Sequence, residues 1–225
     1  MSTTVPALAG FAAVLSDLDG VLVDSGDTVE EVWRTWAREH DVDPDWIVEI
    51  SHGVPSGQVI SRVLPGIEPE RLAWEAARVE AMNAATNAPA FPGARELLER
   101  VPAGRLAIVT SSGAELAPSR LRAARLPTPS VLVHSERVER GKPAPDPYLL
   151  AARELGVDPA RCVVLEDAPA GIEAGRAAGA TVWAVATTHD PAELSAADRI
   201  APDLATLVAD LLAPEAEPEA RAAER

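Results

Sequence analysis

The chain is 225 residues long, 47% hydrophobic, and carries a formal net charge of -15. That much apolar material builds one substantial core, leaves room for a small inserted module and excludes a fully disordered chain. The excess of acids disfavours nucleic acid and anionic membrane as partners, because no basic patch offsets the like charges, so a small-molecule partner fits better.

From the N-terminus, residues 5–15 are weakly apolar, yet no Lys or Arg precedes them and Asp17 follows at once, unlike a secretory leader. The expectation is a cytoplasmic protein with no membrane span, either a monomer or a weak homodimer. Residues 11–15 read as the first of five short β-rich runs, the others being 106–109, 131–133, 162–165 and 181–185. Helical stretches separate them at 114–125, 147–155, 170–178 and 203–212, with Gly156 and Gly179 placed as C-terminal stops. That order predicts an α/β fold with a parallel sheet.

Between the first strand and Ala90 the alternation breaks and the pattern turns helical, including residues 29–40 and 70–86. The chain therefore divides into a Rossmann-like core (1–25 and 90–212), an inserted helical cap (26–89) and a tail rich in Ala, Glu and Pro (213–225) that is expected to be disordered. Trp33, Trp36, Trp46 and Trp74 fall in the insert, where they are expected to form its own small core, with pocket lining as the second role. Gly171, Gly175 and Gly179 recur every four residues, which reads as close packing of a helix on the sheet. The single cysteine, Cys162, lies in an apolar run, so a buried thiol in a reducing compartment is expected. No Gly-rich nucleotide loop is present, and a nucleotide cofactor is not indicated.

Four segments carry chemistry. Asp17-Leu18-Asp19-Gly20 follows the first strand, which in an open α/β sheet puts both carboxylates in the crevice beyond the strand's carboxyl end. A calcium loop starting at Asp17 would want oxygen ligands where Val21 and Thr28 stand, so that reading is poor. Thr110-Ser111-Ser112 ends the second strand; one serine could cap the next helix, or the helix N-terminus and Thr110 could receive a phosphate. Gly141-Lys142-Pro143 holds the only lysine beside 19 arginines, at a point where a compact ammonium was kept in place of a planar guanidinium. Glu166-Asp167 closes a buried-looking strand with paired acids, which are costly there unless solvated or coordinated to a hard divalent cation.

In this order, at strand ends, these segments resemble the four signature motifs of the haloacid dehalogenase superfamily, and the insert after the first motif is similar to that of its first cap class. The resemblance spans about residues 11–212. It implies that Asp17 attacks phosphorus and that Asp19 protonates the leaving oxygen and later activates water against the aspartyl-phosphate. It further implies Mg²⁺ held by Asp17, the backbone carbonyl of Asp19 and Asp167, with Glu166 coordinating directly or through water. Thr110 and the Ser111 amide would hold the phosphoryl oxygens, and Lys142 would offset negative charge around the nucleophile.

Haloacid dehalogenases lack an acid at the position of Asp19, so phosphoryl chemistry is favoured. β-Phosphoglucomutases carry a cap histidine five residues after the aspartate equivalent to Asp24; this chain has Val29 there, which puts a mutase in doubt. The stretch from Glu30 to Trp36, the pair His52-Gly53 and the segments around Lys142 and Glu166 look most like bacterial sugar and hexitol phosphatases and glycerol-phosphate phosphatases. Ser16 departs from the apolar residue that many relatives place before the nucleophile. The expected activity is Mg²⁺-dependent hydrolysis of a small sugar or polyol phosphate, with a phosphosugar mutase and a non-catalytic binding protein as alternatives. His52, Gln58 and Arg62 are the candidates for choosing the substrate from the cap, by reaching its hydroxyls.

Overall fold

The computed structural model describes residues 8–52, 54–86 and 88–213; the expected tail lies, from residue 214 on, outside them. Six parallel strands form one sheet: β1 (Ala13–Ser16), β2 (Leu106–Val109), β3 (Val131–Val133), β4 (Cys162–Glu166), β5 (Thr181–Val185) and β6 (Arg199–Ala201). Their order is β3-β2-β1-β4-β5-β6. The last strand went unread in the sequence because it opens on Arg199 and so lacks the apolar run that marked the equally short β3.

The central strands are buried along their whole length, as parallel strands covered on both faces must be. Their side chains nevertheless divide by the two-residue period. Val14, Leu106, Ile108, Val163 and Leu165 enter the cluster on one face. Ala13, Leu15, Ala107, Val109, Cys162 and Val164 enter the cluster on the other. The first face is covered by α5 (Ala94–Arg100), α6 (Leu116–Ala123) and α9 (Leu204–Leu212), the second by α7 (Asp146–Leu155) and α8 (Pro169–Ala177). Helix α5 was not expected; at seven residues it is two turns long, burying Ala94 and Leu97 and packing the half-buried Leu98 against the core.

The glycine repeat separates into three roles. A Cβ on Gly175 would come within 2.9 Å of Val182, so this position does pack the helix on the sheet. A Cβ on Gly171 would instead collide with the Glu166 carboxylate, and Gly179 has open space and φ +85°. Gly156 and Gly179 both take positive φ just after α7 and α8, which ends those helices.

Between β1 and β2 lie α1 (Gly26–Glu39), α2 (Pro44–Ser51), α3 (Ser56–Val63) and α4 (Pro69–Ala84), packed around their own apolar cluster. Trp33 and Trp36 belong to that cluster, their rings edge to face at 5.9 Å. Trp46 and Trp74 do not: they are 39% and 56% exposed, and Trp74 lies against the guanidinium groups of Arg71 and Arg78. The chain enters and leaves the helical insert side by side, with an antiparallel bridge between Val23 and Ala90 and a hydrogen bond from Asp24 N to Pro89 O of 2.8 Å. Among the described residues, no helix is long and apolar enough to cross a membrane.

Candidate active site

Strand order decides where the site lies. Proceeding from β1, the chain builds outward through β2 and β3, then returns to the other side of β1 with β4 and continues to β5 and β6. At that reversal, loops leaving the carboxyl ends of neighbouring strands diverge and open a crevice. Asp17 follows β1, Thr110 follows β2, and Glu166 ends β4 just before Asp167. Segments distant in sequence thus converge on one floor.

Lys142 is the centre of that floor, 2% exposed. Its ammonium donates to Asp17 Oδ1, to Glu166 Oε1 at 2.6 Å and to the Val109 carbonyl at 3.1 Å. Its three N–H donors thus have three acceptors, a match for a compact ammonium rather than for the planar fork of an arginine. Burial alone would push the ammonium's pKa down, but Asp17 and Glu166 against it hold it above the usual lysine value.

The surrounding acids are in the opposite condition. Burial raises the Asp17 carboxyl well above the ordinary range; Lys142 partly offsets this, while Glu166 and Asp167 add to it. Asp167 is pushed up to about 7 by burial and by Glu166, against a hydrogen bond from Thr188. Glu166 has both oxygens engaged. Oε1 accepts from Lys142 and from Tyr148 Oη at 2.6 Å, and Oε2 accepts from the Asp167 and Ala168 amides. It serves as the counter-ion that holds Lys142 in place.

Asp19 faces this cluster from the other wall. Its Oδ1 accepts from Ser25 Oγ at 2.7 Å and lies 3.3 Å from Arg120 Nε, and its Oδ2 accepts from Ser112 Oγ at 2.9 Å. Thr110 is buried, with its amide on the Val133 carbonyl and its hydroxyl accepting from the Ser112 amide at 3.0 Å. The helix after this segment corrects the sequence reading: α6 begins at Leu116, and neither Ser111 nor Ser112 is its cap. The Ala114 amide, which precedes the helix, donates to Glu136 Oε1 at 2.9 Å, while Leu116, the first residue of α6, lines the crevice.

Among the described residues, no three His, Cys, Asp or Glu side chains converge as a ready-made metal cage. The donors present are nonetheless of one kind. Asp17 and Glu166 pair with the one ammonium, and Asp167 is buried beside them, so the carboxylates outnumber the cation and their hard oxygens suit a divalent ion such as Mg²⁺. Gly20 permits the close approach: it takes φ +85°, and a Cβ there would run into the Asp167 carboxylate.

The crevice has a cavity volume of about 90 Å³, and the insert closes its far side with Val29, Trp33, Ser51, Val54, Ser56 and Asn83. His52, Gln58 and Arg62 stand outside this lining. His52 packs edge to face on His189 at 5.5 Å, and burial followed by His189 lowers its pKa. Gln58 lines a neighbouring groove with Glu80 and Glu136, and Arg62 is exposed on α3. Tertiary packing brings Ser25, Ser112, Arg120, Tyr148 and Thr188 to the site residues. Of these, only Ser112 stood in a segment the sequence marked for chemistry.

A parallel sheet with its acid-and-lysine floor at the reversal of strand order, roofed by a helical insert, defines a Rossmann-like α/β protein with a capped acidic site. The family model described as haloacid dehalogenase-like hydrolase matches residues 11–179. The chain is 42% identical to hexitol phosphatase A of Escherichia coli (strain K12), over 83% of this chain and 88% of the relative. It is 30% identical to glycerol-1-phosphate phosphohydrolase 1 of Saccharomyces cerevisiae, over 84% and 80% of the two chains. A solved HAD family hydrolase from Deinococcus radiodurans R1, with bound phosphate and sodium, superposes with TM-score 0.68 and 33% identity, covering 92% of this chain and 99% of that one. The chain belongs to the haloacid dehalogenase-like hydrolases, and it is an enzyme of their phosphatase kind.

Proposed function

We propose that this enzyme hydrolyses small sugar or polyol phosphates in the cytoplasm through an aspartyl-phosphate on Asp17. The observation that carries the reading is the Lys142 ammonium fixed between Asp17 and Glu166, with Asp19 held across the crevice by Ser25 and Ser112. Lys142 orients Asp17 and offsets part of the cost of its buried charge, and in the ionised form one carboxylate oxygen attacks phosphorus as the ester P–O bond breaks. Asp19 delivers a proton to the departing alkoxide, releasing the alcohol. Water then attacks the phosphorus of the aspartyl-phosphate, Asp19 takes up the water's proton, and free phosphate leaves as the Asp17 carboxylate is restored. Thr110 and the Ser111 amide hold the phosphoryl oxygens during both transfers.

Mg²⁺ would be held by Asp17, the Asp19 carbonyl and Asp167, and it would supply charge neutralisation of the phosphoryl oxygens. Glu166, occupied by Lys142, Tyr148 and two amides, supports that set indirectly. Val29 on the insert side of the crevice offers no proton relay for returning phosphate to a sugar, which favours hydrolysis over a mutase. Substrate choice falls to the insert residues over the crevice, with His52, Gln58 and Arg62 acting from its margin. The names of the hexitol and glycerol-phosphate relatives support the same substrate class.

The test is phosphate release from a panel of sugar, polyol and nucleoside phosphates with Mg²⁺, comparing wild type with Asp17→Asn. Release from sugar and polyol phosphates that needs both Mg²⁺ and Asp17 is the expected result. A phosphate that reappears at a new position on the sugar would overturn hydrolysis in favour of the mutase, and no turnover of any ester would leave a binding role.

A further inference from the structure

Arg120 is the largest buried charged side chain outside the floor of the crevice, 1% exposed and rooted on α6 in the core. Its guanidinium joins two bodies of the molecule. Nη1 donates to Thr86 Oγ1 at 3.0 Å and Nη2 to Asn83 Oδ1 at 3.2 Å, both at the end of helix α4 where the insert returns to the core. Nε lies 3.3 Å from Asp19 Oδ1. Asp19 is the one carboxylate within ion-pair distance of this guanidinium among the described residues.

A buried guanidinium is costly unless paired, and a purely architectural link between α6 and α4 would be served at less cost by a neutral amide. The charge is therefore better explained by its acidic neighbour. The Nε proton is also poorly aligned: Nε is buried and completes no hydrogen bond in this arrangement, although Asp19 is close. An orphaned donor 3.3 Å from the carboxylate is a contact that a small shift of α4 against the core would complete.

We propose that Arg120 is a positioning residue that fixes the Asp19 carboxylate according to the placement of the helical insert. Asn83 and Thr86 orient the guanidinium, and the guanidinium, with Ser25 and Ser112, sets the direction of Asp19 towards the leaving oxygen. Proton delivery is thereby tied to the insert being seated over the crevice, which withholds the acid from an open site where water would compete. The inference rests on the reading that Asp19 protonates the leaving group.

The experiment compares single-turnover release of the alcohol from glycerol phosphate, a poor leaving group, with that of p-nitrophenol from its phosphate, which needs little protonation. It uses wild type, Arg120→Met, Arg120→Lys, Asn83→Ala and the Arg120→Met/Asn83→Ala double variant, each checked for folding by circular dichroism and thermal melting. In Arg120→Met, glycerol release is expected to fall roughly 10²-fold, the effect of a misplaced acid, with KM within about 3-fold and p-nitrophenol release down less than about 5-fold. Arg120→Lys is expected to recover part of the loss. Asn83→Ala is expected to lose less than Arg120→Met, and the double variant no more than Arg120→Met alone. Equal losses with both esters, or a raised KM at unchanged kcat, overturn the proposal while wild type stays active. Should Arg120→Met fail to fold, the same leaving-group comparison in Arg120→Lys and Asn83→Ala decides. A wild type that releases neither alcohol overturns the phosphatase reading itself.

Discussion

Two buried charge clusters, one in the crevice and one in the insert, are built with opposite balances. In the insert, Glu75 is fully buried and surrounded by donors: Arg71 at 2.7 Å, Trp36 Nε1 at 3.0 Å, His40 at 3.2 Å and Arg78 at 3.3 Å. Burial pushes this carboxyl up, but hydrogen bonds from Arg71, Trp36 and His40 outweigh it and bring the pKa down to about 2. In the crevice, two acids, Asp17 and Glu166, share one ammonium, and Asp17 and Asp167 are raised. The first cluster stabilises the fold at neutral pH. The second opposes it, which is the signature of groups kept for chemistry and cation binding.

The largest expected effect is on that second cluster. Asp17→Asn is expected to lower Mg²⁺-dependent phosphate release by at least about 10³-fold, since no other carboxylate can take the covalent role. Lys142→Met strikes both function and stability. It leaves the acids buried without their cation, and a fall of about 3–5 kcal/mol in unfolding free energy is expected by denaturant titration.

Glu75→Gln sharpens the contrast from the other side. A loss of about 2 kcal/mol is expected at pH 7, read by the same titration. Because the folded pKa lies below the ordinary 4.5, the wild-type contribution is present above pH 4.5 and disappears as pH falls towards 2. The variant should lack that acid-dependent loss. Asp167 carries the reverse sign, being raised from 3.8 to about 7. Metal-free protein should therefore gain stability as pH falls from 8 towards 4, on the order of 1 kcal/mol from Asp167 with water screening at the crevice, and Asp167→Asn should reduce that gain, leaving the part of the same sign that Asp17 carries. Thermal melts across this pH range test both signs, and Mg²⁺ should raise the melting temperature of wild type more than that of Asp167→Asn.

How much of this was legible in the sequence differs by element. The central strands announced themselves as apolar runs that end in Asp17, Thr110 and Glu166, because a parallel strand covered on both faces needs such a run and its carboxyl end meets solvent. β6 was illegible because its three residues, Arg199 to Ala201, lack the apolar run that marked the equally short β3, and α5 because seven residues are too few for a period to stand out. The tryptophans of the insert looked alike in sequence. Packing separated them, since Trp33 and Trp36 share the inward face of α1 while Trp46 and Trp74 sit on outer faces.

The sequence by itself determined the α/β class and the residues at the strand ends, because those follow from local pattern and from short segments whose composition fits one chemistry. Only the tertiary structure decided which partner each charged group would meet. Glu166 turns to Lys142 and Tyr148, Ser112 turns to Asp19 instead of capping α6, and Arg120, one of 19 arginines, reaches Asp19 and α4. The physical reason is distance along the chain. Lys142 and Asp17 are 125 residues apart, and Arg120 and Asn83 are 37 apart, so no local window holds either pair; folding the sheet and seating the insert is what makes them neighbours.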